Sequence, residues 1–200
     1  MKAIAAGLVL AIGLAVPAAD EEIVEPRSGV RFPARHGDLS LLGVGLRTKT
    51  LFKVKVYAIG FYVAEAALVG PLAAHKGKLD SPELYRDLVW GDFDKQIILK
   101  FVRDVTRAEV QAGFREALPR VNMARMDVFA SYMKDTKQGQ EYALRWAPGG
   151  VLETSFAGQP NAPIPDKDFA AAVFGIWLGE RPIQADIKRD LVWRAPELIR

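Results

Sequence analysis

The sequence predicts an α+β fold with a mainly antiparallel sheet, and three observations lead there. Apolar, β-branched and aromatic residues come in hairpin-like runs; helical segments carry explicit caps and come in pairs; strands and helices do not alternate as βαβ units would require. The chain has 200 residues, of which 50% are hydrophobic, enough for a real core. Residues 20–200 suit one domain.

The elements follow in order. Residues 20–38 are rich in proline, glycine and charge, with a short extended piece around residues 30–33. Residues 41–49 and 53–63 read as two strands joined by a short basic turn. Residues 64–74 suggest an apolar helix interrupted at Gly70-Pro71. Ser81-Pro82-Glu83 places an N-cap before a proline at the first helical position and opens a helix to about Trp90. Residues 95–102 form the next strand, with Ile97, Leu99 and Phe101 on one face. Thr106 and Glu109 have capping-box spacing at the head of a helix to about Leu118, ended by Pro119. A second helix covers roughly residues 122–134. Residues 141–146 and 151–156 flank Pro148-Gly149-Gly150 as a hairpin. Two C-terminal helices follow, about 166–178 closed by Gly179, and about 184–193.

Composition narrows the function. Lys2, the apolar run 3–16 and the small residues Pro17-Ala18-Ala19 read as a signal peptide over residues 1–19, followed by acidic residues. The run is shorter than the ~20 residues a membrane span needs, so no stable span is expected. A periplasmic or secreted protein is expected after cleavage, with a monomer favoured. There is no cysteine, hence no disulfide, thiol chemistry or cysteine metal site. Net charge is +3, and no basic run with interleaved aromatics points to nucleic acid. His36 and His75 are the two histidines and stand in separate contexts, so neither a metal site nor a histidine-based triad is expected. No cofactor is implied.

The candidate chemistry lies in residues 43–62. Alternation puts Gly43, Gly45, Arg47 and Lys49 on one strand face. That face is either exposed and basic, with glycines at bulges, or the wall of a cavity with Arg47 in it. Arginine suits a carboxylate or phenolate because its planar fork donates two parallel hydrogen bonds. Tyr57 or Tyr62 could add an O–H donor, although Tyr57 shares parity with Lys53 and Lys55, and alternation does not decide whether it turns inward. Met123, Met126, Ala130 and Met133, with Phe129 nearby, form one stripe. Phe169, Val173, Phe174 and Trp177 form another. Such stripes are core, or the sheath of a long apolar ligand.

Gly43-Val44-Gly45-Leu46-Arg47-Thr48-Lys49, followed by Lys55-Val56-Tyr57-Ala58-Ile59-Gly60-Phe61-Tyr62, resembles the chalcone isomerase-like family. Phe174-Gly-Ile-Trp-Leu-Gly-Glu-Arg-Pro182 resembles the C-terminal helix motif of its bacterial, secreted members. The resemblance spans roughly residues 28–195. It implies a long antiparallel sheet covered on one face by helices, with a ligand cleft between. In the plant isomerases the strand arginine steadies a phenolate that adds to an unsaturated ketone. A threonine on the next strand and a helix tyrosine polarise the ketone, and an asparagine seven residues later holds the substrate. Arg47 matches the arginine. Tyr57 stands where the threonine would, as in the fatty-acid-binding branch, while Val110 and Ala117 stand where the tyrosine and asparagine would. The resemblance thus implies a non-catalytic binder of a fatty acid or similar hydrophobic carboxylate, with Arg47, Tyr57, Tyr62, Gly43 and Gly45 as ligand-binding residues and none catalytic. The alternative is an intramolecular lyase, or an isomerase of another enone.

Overall fold

The computed structural model describes residues 21–49, 53–78 and 81–200, so the expected signal peptide and the turn at 50–52 lie outside the described residues. β1 (Glu22–Val24) and β2 (Arg31–Pro33) pair as a small ribbon. β3 (Arg35–His36), the long β4 (Leu39–Lys49) and β5 (Val54–Ala64) follow, then α1 (Glu65–Val69) and a 3-10 turn (Pro71–His75) split at Gly70. α2 (Pro82–Trp90), β6 (Lys95–Phe101), α3 (Arg107–Ala117) and α4 (Met123–Ser131) come next. β7 (Glu141–Ala147), β8 (Val151–Phe156), β9 (Gln159–Pro160) and β10 (Ile164–Pro165) precede α5 (Lys167–Leu178), α6 (Ala185–Asp190) and α7 (Ala195–Leu198). The main sheet is antiparallel throughout, in the order β10-β8-β7-β6-β5-β4-β3, with β9 on β8. This is the α+β architecture the patterning predicts.

The caps work as their chemistry requires. Ser81 accepts from the Leu84 N–H, Asn122 from Arg125 and Asp166 from Phe169; Thr106 and Glu109 close a reciprocal box. Each satisfies helix-end donors that have no partner within the helix. The second of the two expected C-terminal helices, about 184–193, departs from expectation and is followed by the short α7. It stops at Asp190, because Leu191 and Val192 turn inward and Arg194 reaches back to β4. There the Arg194 N–H donates to the Leu42 carbonyl at 2.9 Å and its Nη1 to that of Leu41 at 3.1 Å. β3 covers only the start of β4, so these bonds satisfy backbone groups on an edge that would otherwise be open to pairing.

Register divides the sheet into two faces. Arg47, Tyr57 and Phe101 lie opposite one another across β4, β5 and β6, as do Gly45, Ile59, Leu99 and Tyr142 from β4 to β7. This face carries the helices: Phe61 and Trp146 both meet Phe174 of α5 edge-on. The other face is covered at one end by Phe32 of β2, which sits over Gly60 and Lys100. The core is continuous, with Trp146, Trp177, Phe129, Phe156 and Phe174 all fully buried between sheet and helices. Each such aromatic removes 150–250 Å² from water, so this layer supplies a large share of the hydrophobic drive.

Candidate functional site

At one end of the helical face the core opens into a cavity of about 270 Å³. Its floor is the sheet, through Arg47, Val56, Tyr57, Leu99 and Phe101; its roof is α3, through Val110, Gly113, Phe114 and Ala117. The roof positions recur at i, i+3, i+4 and i+7, one stripe of a helix. α5 and the segment after it close the side with Ile176, Trp177 and Ile183.

A β-bulge settles the orientation of Tyr57. Arg47 pairs with Tyr57 while Thr48 pairs with Lys55, so Val56 is the extra residue. Strict alternation would keep Lys55 and Tyr57 on one face. The bulge breaks it: Val56 and Tyr57 both line the cavity, while Lys55 donates to the Arg27 carbonyl. Tyr57 therefore turns inward beside Arg47.

Arg47 is half-buried and held by one nitrogen. Its Nη1 donates to the Ile183 carbonyl at 3.3 Å and to Gln184 Oε1 at 3.2 Å. Gln184 is fixed in turn, accepting from the Thr48 N–H and donating to the Leu46 carbonyl, both at 3.1 Å. All these acceptors are neutral, and among the described residues Arg47 has no carboxylate partner. Its charge is oriented but not neutralised.

Trp177 Nε1 donates to the Tyr57 oxygen at 3.1 Å. An indole can only donate, so Tyr57 accepts there and keeps its own proton for another partner. Burial pushes the Tyr57 phenol up to about 12, against the opposing pull of the Trp177 bond and the Arg47 charge. It is an O–H donor at any physiological pH. Arg103 also lines the cavity. Its Nη1 donates to the Asp104 carbonyl and its Nη2 to Glu109, while its Nε is buried without a partner. Glu109 completes the α3 cap, and the backbone N–H of Thr106 holds its carboxyl below the usual range.

Not every expected residue comes to this place. Gly43 and Gly45 share Arg47's face, but α6 fills the room they leave. A Cβ on Gly43 would lie 2.2 Å from the Asp190 carbonyl oxygen, so the glycine permits strand and helix to touch. Tyr62 has the opposite parity to Tyr57; it is fully buried beyond the sheet and donates to the Pro33 carbonyl at 3.0 Å. Neither the glycines nor Tyr62 line the cavity. Among the methionine stripe, Met126 and Met133 are core and Met123 is exposed, none of them at the cavity. Of the second stripe only Trp177 reaches it. Its indole donor was the readable signal for that role, since a buried Trp N–H seeks an acceptor.

Residues 28–192 match the model of the family described as chalcone isomerase-like. The chain belongs to that family. Among curated relatives, fatty-acid-binding protein 1 of Arabidopsis thaliana is 29% identical over 90% of this chain and 72% of its own length. Fatty-acid-binding protein 2 of the same plant is 27% identical over 84% of this chain; the chain spans about half of it, 49%. Chalcone–flavanone isomerase 1A of Glycine max is 28% identical over 92% of this chain and 96% of its own. The crystal structure of the Arabidopsis thaliana fatty-acid binding protein AtFAP1 superposes with a TM-score of 0.78 at 23% identity, covering 90% of this chain and 99% of that one. The chalcone isomerase-like fold is therefore shared. Within it, this chain offers Val110 and Ala117 on the cavity roof, where the plant isomerases are expected to carry tyrosine and asparagine.

Proposed function

We propose that this protein is a non-catalytic binder of a fatty acid or similar amphipathic carboxylate, held between sheet and helices. The observation that carries the reading is an oriented Arg47 without a carboxylate partner beside the Tyr57 O–H, in a cavity whose sheet floor and helical roof are mainly apolar and whose margin carries Lys49, Arg103, Glu109 and Glu116. The guanidinium and phenol take the two carboxylate oxygens, and Leu99, Phe101, Val110 and Phe114 sheath the chain. The names of the plant fatty-acid-binding relatives support the ligand class. We read the binder as periplasmic on the strength of the signal-like run at residues 1–19.

The second reading, an intramolecular lyase, draws on the isomerase relative and on Arg47. It lacks most of the ketone-polarising donors that such catalysis relies on, because the roof presents Val110 and Ala117 where the helix donors are expected. Calorimetric titration of delipidated protein with dodecanoate tests the binder. Arg47→Ala is expected to weaken binding by roughly 10–100-fold, the loss of charge-assisted hydrogen bonds. Absence of heat with the wild type, or equal affinity in both proteins, overturns the reading. Flavanone formed from chalcone faster than in buffer, and slowed by Arg47→Ala, would favour the lyase instead.

A further inference from the structure

The cavity does not end at Arg47. A second recess of about 560 Å³ shares Arg47, Glu116, Ala117, Ile176 and Ile183 with it. Arg47 thus stands at a boundary. Inward lie Tyr57, the mainly apolar floor and roof, and Lys49 with the Arg103–Glu109 pair; outward lie Arg120, in the turn after α3, and Arg181, in the segment after α5. Both are exposed, and among the described residues neither forms an ion pair. The recess therefore holds three guanidinium groups against one carboxylate, Glu116.

A fatty acid leaves this arrangement half used. A carboxylate has one charge and two oxygens, which a single arginine fork and one phenol satisfy. Even with Glu116 in the recess, one positive charge of the three guanidinium groups would remain without a counter-charge. The inner cavity is also slightly below the ~300 Å³ at which small-molecule pockets usually begin, so a ligand that fills it extends past Arg47 into the recess.

We infer that the site takes an acyl or alkyl chain whose head bears a second negative charge, most simply a phosphate monoester. The chain occupies the cavity beyond Tyr57, and the head spans Arg47, Arg120 and Arg181. This rests on the amphipathic-anion reading above and extends it. A phosphate monoester carries about −1.5 to −2 charge near pH 7 and three acceptor oxygens, so it can accept from more than one guanidinium at once.

The test compares dodecyl phosphate with dodecanoate at pH 8, below micelle-forming concentrations, by calorimetry on delipidated protein. Wild type is expected to bind dodecyl phosphate about tenfold tighter or more, the size of one added charge-assisted hydrogen bond. The double variant Arg120→Ala/Arg181→Ala should lose that preference while keeping its dodecanoate affinity within about twofold, which also shows that it folds. Equal affinity of wild type for the two probes, or a preference that survives the double variant, overturns the inference and leaves the carboxylate reading standing. Binding of dodecyl phosphate alone, lost in the double variant, supports the inference and overturns the carboxylate as ligand. Binding of neither probe overturns both.

Discussion

Lys95 and Arg47 are cations on the same face of one sheet, at opposite ends, and they have opposite surroundings. Lys95 is fully buried. Its Nζ donates to the Val89 carbonyl at 3.0 Å and the Gly91 carbonyl at 2.8 Å, closing the end of α2, and lies 4.1 Å from the centre of the Trp146 ring. Phe93 and Phe174 complete an aromatic enclosure. Arg47 is half-buried, touches neutral oxygens through one nitrogen and faces a hollow. Lys95 has its partners within the fold; Arg47 has been oriented without being matched. A cation's role is thus legible from what answers its charge rather than from its depth.

The largest expected effect lies at the buried Lys95. Lys95→Met keeps much of the volume but leaves the Val89 and Gly91 carbonyls without a donor, so a loss of about 1–3 kcal/mol is expected in denaturant titration. Dodecanoate affinity should not move. Arg47→Ala should do the reverse, sparing stability and weakening the ligand. The pH dependence sharpens this. Burial pushes the Lys95 pKa down to about 7, with Asp92 opposing. The folded state then binds fewer protons than the unfolded chain between about pH 7 and the ordinary lysine value near 10.4. The stability of wild type relative to Lys95→Met should accordingly rise across that window and be flat below it. A difference flat throughout would mean that the three ring faces hold the amine charged.

A smaller effect separates Trp177 from mere packing. If its N–H fixes the direction of the Tyr57 proton, Trp177→Phe lowers dodecanoate affinity about three- to tenfold in the wild-type background and hardly at all after Tyr57→Phe. Additive losses would make Trp177 only a wall. Because the Tyr57 phenol stays protonated to about pH 12, wild-type affinity should also be flat from pH 7 to 10.

Much of this was written locally in the chain. The capping box at Thr106, the N-cap at Ser81 and the hairpin at Gly149-Gly150 depend on neighbours within a few residues, so patterning found them. Arg47 was marked by its strand and by family resemblance. What was not legible depends on distant partners. Gly43 looked like space for a ligand and is space for the Asp190 and Leu191 backbone, more than a hundred residues away. The direction of Tyr57 was left undecided by alternation and is set inward by a bulge that the alternation rule does not contain. The division of one aromatic stripe into core Phe174 and cavity-lining Trp177 depends on where α3 lies across α5.

The smallest change probes whether the hollow end is hollow for a ligand. Gly113 lies within α3, on the cavity roof, and a Cβ there would meet nothing within 4 Å. Glycine inside a helix is about 0.5–1 kcal/mol worse than alanine, through the backbone freedom it loses on folding. Gly113→Ala should therefore raise stability by up to about that amount, read as a higher denaturant midpoint, with affinity nearly unchanged. Gly113→Leu keeps most of the helix gain, since leucine is almost as good a helix former, but sends its side chain into the space assigned to the acyl chain. Dodecanoate affinity should then fall more than tenfold while stability does not. A leucine that stabilises the protein and leaves affinity intact would show that the ligand lies elsewhere, and that this end of the sheet is an unfilled part of the core, unlike the filled end that encloses Lys95.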